Sequence, residues 1–282
     1  MSVLESIVQR TRQRLAESPP DLEALRARVE EMNQALPPLD VLAALQAPGH
    51  RIIAELKRHS PSLGALAPDA DPFAVATAYA DAGAAAISVL TEPERFGGSF
   101  ADLDAVSRLV HPRGVPTLCK DFVVDPRQVL MARAHGASLV LLIVRALDDQ
   151  ALVSLREQIE SLGMQALVET HDAHEIARAV ATGARIIGVN SRNLDTLVID
   201  LAVAEALRAA IPADRIAIAE SGIESSAHVA RLARSGYRHF LVGSSLMRHA
   251  DPAALLRELI NAEGLAEPGS PRSDSHPDVR SP

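Results

Sequence analysis

The chain reads as a (β/α)8 barrel, a TIM barrel, with an N-terminal helical extension, and three observations lead there. From Arg51 onward, eight short β-rich runs alternate with helical ones. Five of those runs follow a glycine placed where a helix should stop. Strands such as LVLLIV are apolar on both alternating faces, as strands covered by helices must be. Eight βα units close a barrel whose functional groups gather at the C-terminal strand ends. An open doubly wound sheet is the alternative, weakened because no GxGxxG follows the first strand.

Residues 3 to 46 are expected to be mostly helical. Val3, Leu4, Ile7 and Val8, then Leu22, Leu25, Val29 and Met32, recur at the three- and four-residue intervals of one helix face. Pro19 and Pro20 separate the two segments, and Asp21 is placed to cap the second. Residues 1–47 therefore form the extension and 48–262 the barrel. Strands are expected at 51–57, 85–90, 116–121, 138–144, 165–169, 185–190, 216–220 and 239–243. Gly83, Gly136, Gly163, Gly183 and Gly236 precede five of them, supplying the left-handed conformation that ends a helix cheaply. Residues 263–282, rich in Pro, Ser, Gly and charge, are expected to be a disordered tail.

Composition bounds the function. The chain has 282 residues and 48% hydrophobic content, enough for a large core. Lys+Arg 28 against Asp+Glu 36 gives a net charge of -8, which argues against a general nucleic-acid binder but leaves room for a local anion pocket. A single cysteine excludes an intrachain disulfide framework, and no Cys/His cluster suggests structural zinc. The longest apolar run, Leu139 to Val144, is far short of a membrane span, and the N-terminus has no uninterrupted apolar stretch of signal-peptide type. A soluble protein of the reducing cytoplasm is expected.

The segment Arg51 to Ala65, RIIAELKRHSPSLGA, takes an apolar strand directly into charge. Alternate side chains of a strand share a face, so Ile53, Glu55 and Lys57 should point the same way. An ordinary surface ion pair would explain Glu55 and Lys57 alone. The pattern recurs, however: the other strand ends supply Lys120 with Asp121, Glu169, Asn190 with Arg192, then Glu220, Ser221 and Gly222, and finally Gly243 and Ser244. A solvated strand terminus explains any one of these, but hardly all of them. ESG after the seventh strand and VGSS after the eighth put small residues and backbone N–H groups where barrels bind phosphate.

From about Ile52 to Met247 the fragments AELKRHSPSLG, SVLTEPERFGGS, CKDFVVDPRQV, ALVETHD, GVNSRNL, AESGI and LVGSSLM resemble indole-3-glycerol phosphate synthase, as does the helical extension. The resemblance implies a carboxy-lyase of tryptophan biosynthesis, with no cofactor and no metal. Its substrate would be 1-(2-carboxyphenylamino)-1-deoxyribulose 5-phosphate, closed to an indole ring with loss of carbon dioxide and water. Carried over residue by residue, the resemblance makes Lys120 the general acid on the carbonyl oxygen and Glu169 the group for later proton transfers and dehydration. It makes Lys57 a ligand of anionic groups and a proton donor, and Glu55 the charge that orients the lysines. Glu55 and Glu169 are the expected neighbours of Lys120, whose ammonium would be costly to bury without carboxylates.

For substrate binding, the resemblance points to Asn190 on a hydroxyl, Arg192 on an anionic group, and Ser221, Gly222, Gly243 and Ser244 around the phosphate, with Glu220 a further substrate-binding residue. Ser60, Pro61, Phe96 and Phe122 would meet the rest of the substrate, the last three as apolar surface for the aromatic ring. Two positions depart from many members of that family: Leu63 stands where they carry Lys, and Cys119 where they carry Arg. Cys119 should point away from Lys120. Expected partners are the phosphorylated substrate and, if the pathway channels it, another tryptophan-pathway enzyme, with neither nucleic acid nor membrane. Two other readings stay open: a different phosphate-binding barrel enzyme such as phosphoribosylanthranilate isomerase, or a non-catalytic barrel subunit.

Overall fold

The structure is a computed structural model, and it describes residues 2–60 and 64–263. Eight parallel strands close a barrel in chain order: β1 Arg51–Leu56, β2 Ala86–Leu90, β3 Thr117–Lys120, β4 Leu139–Ile143, β5 Gln165–Thr170, β6 Ile186–Asn190, β7 Ile216–Glu220 and β8 His239–Val242. β1 closes the ring by pairing with both β2 (Glu55 opposite Ser88) and β8 (Ile53 opposite Leu241). The ladders begin or stop a residue inside several expected strands and run one further in β5, to Thr170. Lys57 and Asp121 thus lie just beyond the paired backbone. The tail from residue 264, with Pro61 and Leu63, lies outside the described residues.

Strand alternation sorts the side chains into two cores. Ile53, Leu118, Leu139, Leu167, Ile186, Ile218 and Leu241 fill the barrel interior. Their neighbours Ile52, Cys119, Val140, Val168, Ile187, Ala217 and Phe240 face outward onto the helical layer, against side chains such as Leu103, Leu155 and Leu232. Cys119 therefore points away from the mouth, as the period of two requires. The glycines before five strands take up φ between 78° and 97° at Gly83, Gly136, Gly163, Gly183 and Gly236, which a side chain there would resist.

The N-terminal segment forms three helices: α1 Val3–Glu17, α2 Leu22–Ala35 and α3 Val41–Gln46. Ser2 and Glu5 make a reciprocal capping box on α1, and Asp21 accepts hydrogen bonds from the backbone N–H groups of Glu23 and Ala24 on α2. Leu22, expected on the apolar face of α2, is 43% exposed because it opens the helix before the packed turns begin.

Each helix meets the barrel differently. α3 closes the bottom: Val41 and Leu45 join the interior core, and the carbonyls of Ala44 and Leu45 bond Arg51 and His239 at the starts of β1 and β8. α2 lies on the helix Pro126–Ala134, whose fully buried Arg133 donates to Asn33 Oδ1 and to the carbonyls of Ala137, Met32 and Leu36. α1 reaches the opposite end, where Leu4, Ile7 and Val8 are buried; each such side chain contributes about 1.5–3 kcal/mol.

Candidate active site

The strands bring the charged residues to one cavity at their C-terminal ends. Lys120 Nζ sits between two carboxylates, 3.1 Å from Glu169 Oε2 and 3.0 Å from Glu220 Oε2. Lys57 Nζ lies 2.5 Å from Glu55 Oε1. All five of these carboxylates and ammonium groups face the cavity, and Glu55, Glu169 and Glu220 are buried. Lys120 has one carboxylate neighbour more than the two expected. Its second hydrogen-bonded carboxylate is Glu220, the last residue of β7, whereas Glu55 pairs with Lys57 two residues along the chain. Glu55 acts on Lys120 only through space.

Glycines make room for this cluster. A Cβ on Gly188, opposite Glu220's strand, would lie 2.0 Å from Glu220 Oε1, and one on Gly243 would lie 2.4 Å from Glu55 Oε1. Any side chain at either place would push a carboxylate out of position. Gly188 carries no polar group, so nothing in the motif GVN but the asparagine signals a site.

Burial and neighbours set the protonation states. Burial works against the Lys120 ammonium, but Glu220, Glu169 and Glu55 more than offset it, so the lysine is held above its usual range and stays protonated. Burial also pushes Glu169 up, yet Lys120, His171 and a hydrogen bond from Asn190 bring its carboxyl below the usual range. Glu220 goes the other way: burial raises it, Lys120 only partly restores it, and the adjacent Glu169 raises it further. One buried lysine thus stands beside one carboxylate held ionised and one that favours its proton, an arrangement suited to moving protons in both directions.

The remaining groups surround these charges. Phe96 and Phe122 have ring centroids 6.1 Å apart and tilted by 36°, forming an aromatic wall. Each is fixed by a buried carboxylate: Glu92 accepts from the backbone N–H groups of Glu94, Arg95 and Phe96, and Asp121 accepts from Phe122 N–H and the Thr91 hydroxyl. Asn190 Oδ1 accepts from Arg192 N–H at 3.0 Å, and the Arg192 guanidinium donates to the Leu197 carbonyl. Ser60 lines the cavity and is buried; Pro61 lies outside the described residues.

At the far side of the cavity Ser221 and Gly222 adopt consecutive left-handed conformations, with φ of 67° and 79°. For a serine this backbone is strained, and strain of this kind gathers at ligand-binding turns. Gly243 precedes the short helix Ser244–Arg248 on the adjoining strand end. Gly222 is also constrained from outside, since a Cβ there would meet Ile199 Cγ2 at 2.6 Å.

The motifs did not reveal the apolar lining. Leu90, Leu194, Leu197 and Ile199 face the cavity, and Val3, Leu4 and Ile7 of α1 reach it from the other end of the chain. In the sequence these residues look like ordinary helix and loop packing, because no polar or charged group marks them. Among the described residues, no group of three or more His, Cys, Asp or Glu side chains could hold a metal ion.

Comparison with known proteins places the chain in a family. A family model described as indole-3-glycerol phosphate synthase matches residues 4–259. The chain is 49% identical over 264 residues to the indole-3-glycerol phosphate synthase of Parafrankia sp. (strain EAN1pec), covering 93% of this chain and 96% of the relative. It is 50% identical over 263 residues to that of Micrococcus luteus, covering 91% and 96%. Among solved structures, 3-hexulose-6-phosphate synthase from Salmonella typhimurium superposes with a TM-score of 0.62 at 17% identity, over 75% of this chain and 97% of that one, a likeness of fold alone.

Proposed function

The chain belongs to the indole-3-glycerol phosphate synthase family, and on that footing we propose how its own residues carry out the reaction. The activity is that of a carboxy-lyase of tryptophan biosynthesis, which closes the indole ring of 1-(2-carboxyphenylamino)-1-deoxyribulose 5-phosphate with release of carbon dioxide and water. The observation that carries the assignment of roles is the Lys120 ammonium held between Glu169 and Glu220.

The substrate phosphate rests on the left-handed turn at Ser221 and Gly222 and on the N–H groups at Gly243 and Ser244. The aromatic ring lies along Phe96 and Phe122, its carboxylate near Lys57, which Glu55 holds in place. Asn190 takes a substrate hydroxyl, and Arg192 adds positive charge beside the anionic groups. Binding at both ends folds the chain so that the ring carbon bearing the carboxylate approaches the C2 carbonyl.

As the new carbon–carbon bond forms, charge builds on the carbonyl oxygen, and Lys120 donates a proton to it. Carbon dioxide then leaves, its bonding electron pair restoring the aromatic ring. The new hydroxyl departs as water, taking a proton from the cluster, while Glu169 removes the proton from the neighbouring carbon to complete the indole double bond. Glu220, which favours its proton, lies against Lys120 and can restore the proton that Lys120 has given up.

Wild type and Glu169→Gln, assayed by the fluorescence of indole-3-glycerol phosphate, test these roles. Product formation by the wild type and a loss of about 10²-fold or more in kcat for the variant are expected. Wild-type turnover in Glu169→Gln would remove Glu169 from the mechanism. The proposed compartment is the cytoplasm, in keeping with a biosynthetic family; no helix among the described residues is long and apolar enough to cross a membrane. A tryptophan-pathway enzyme that hands on the substrate is a proposal of the same kind, testable by co-purification.

A further inference from the structure

The motif ALVETHD contains a histidine that the roles above leave without work. His171 follows β5 directly, and its side chain is only 5% exposed. It stands between two carboxylates: Nδ1 is 3.1 Å from Glu175 Oε2, and Nε2 is 3.5 Å from Glu169 Oε1. Nε2 is buried without a hydrogen bond, and Glu169 Oε1 is the charged atom it faces.

Glu175 is itself held on both oxygens. Its Oε2 accepts the His171 backbone N–H at 2.8 Å, and its Oε1 accepts Arg145 Nε at 2.8 Å. Arg145 in turn lies near Asp172 and Asp195 at the rim. A continuous line therefore runs inward, Arg145 to Glu175 to His171 to Glu169 to Lys120. A neutral imidazole can donate to only one of its two flanking carboxylates, whereas the imidazolium donates to both.

We propose that His171 is a positioning residue for the ring-closing reaction: braced by Glu175, it fixes the Oε1 side of Glu169 while Lys120 holds Oε2, so that the carboxylate stays aimed and anionic for proton removal. His171 does not line the cavity, so it works through Glu169, and the inference rests on the catalytic role given to Glu169 above. The groups that face Glu169 from the other strands are Glu55, Lys120, Asn190 and Glu220, and among them only Lys120 brings positive charge. His171 is the other neighbour that draws Glu169 below the usual carboxyl range. Removing it raises Glu169, and a base that protonates at higher pH moves the acidic limb of kcat upward.

The test compares His171→Leu, His171→Gln and Glu169→Gln in the full chain, with kcat, KM, the pH profile of kcat and Tm measured for each. His171→Leu is expected to lower kcat about 10- to 100-fold with KM within about twofold, and to move the acidic limb to higher pH. His171→Gln, which keeps an N–H donor but no charge, is expected to recover part of kcat while its acidic limb stays shifted, and it serves alone if the leucine variant does not fold. A purely structural histidine would lower Tm and leave the pH profile of the folded enzyme where it was; that result, with Glu169→Gln inactive, overturns the proposal. Should Glu169→Gln be active, the assignment of Glu169 falls, and this inference falls with it.

Discussion

Lys120→Met removes the ammonium and keeps a flexible apolar stem of similar length. In the wild type that ammonium is hydrogen-bonded to Glu169 and Glu220 and is only 14% exposed. Taking one partner from a buried ion pair costs about 3–5 kcal/mol when the remaining charge stays uncompensated. Here a proton can replace the lost cation. For one carboxyl of ordinary pKa, that uptake costs about 4 kcal/mol at pH 7 and about 2 kcal/mol at pH 5.5. Glu220 is the natural acceptor because burial and Glu169 already favour its protonated form, which reduces both figures.

The expected loss of unfolding free energy is therefore about 2–4 kcal/mol at pH 7 and visibly less at pH 5.5. The variant should still fold at 25 °C. Its kcat should fall by about 10² to 10⁴ at both pH values, because no remaining group can protonate the carbonyl oxygen from that position. Fluorescence turnover and denaturant unfolding on the same purified sample separate the two effects. A folded Lys120→Met enzyme with kcat within about threefold of wild type would refute the general-acid role outright.

Three further substitutions probe the same framework. Glu220 has a folded pKa above its unfolded value, so the stability it contributes is full below the unfolded carboxyl range and is lost as pH rises toward the raised folded value. The Tm of Glu220→Gln relative to wild type should therefore climb between about pH 5 and pH 8, and a difference independent of pH would contradict that shift. Gly188→Ala puts a Cβ 2.0 Å from Glu220 Oε1 and should lower kcat about tenfold or more, yet add little in a Glu220→Gln background; equal losses in both backgrounds would locate the damage elsewhere. Arg133→Met strips the donor from Asn33 and three backbone carbonyls beneath α2, and should cost about 3 kcal/mol or more by denaturant unfolding with kcat at 25 °C unchanged; a cost under about 1 kcal/mol would show that α2 is held by other contacts.

What could be read without coordinates was what local periodicity encodes. A repeat of two set which side of each strand Ile53, Glu55, Cys119 and Lys120 face, and the glycines before five strands announced their own positive φ, because both follow from the geometry of a few consecutive residues. The Glu55–Lys57 pair was legible for the same reason, lying two residues apart on one strand. The partner of Lys120 was not. Whether Glu55 or Glu220 reaches its ammonium depends on strand tilt and stagger around a closed barrel, quantities that no stretch of sequence carries by itself. The same holds for Gly188, whose importance is the space it leaves for a carboxylate on the next strand, and for α1, whose leucine and isoleucine read as helix packing until the closed fold brought them to the mouth. Tertiary structure alone decided these pairings, because electrostatic and steric contacts act across space between groups that the chain separates by as many as a hundred residues.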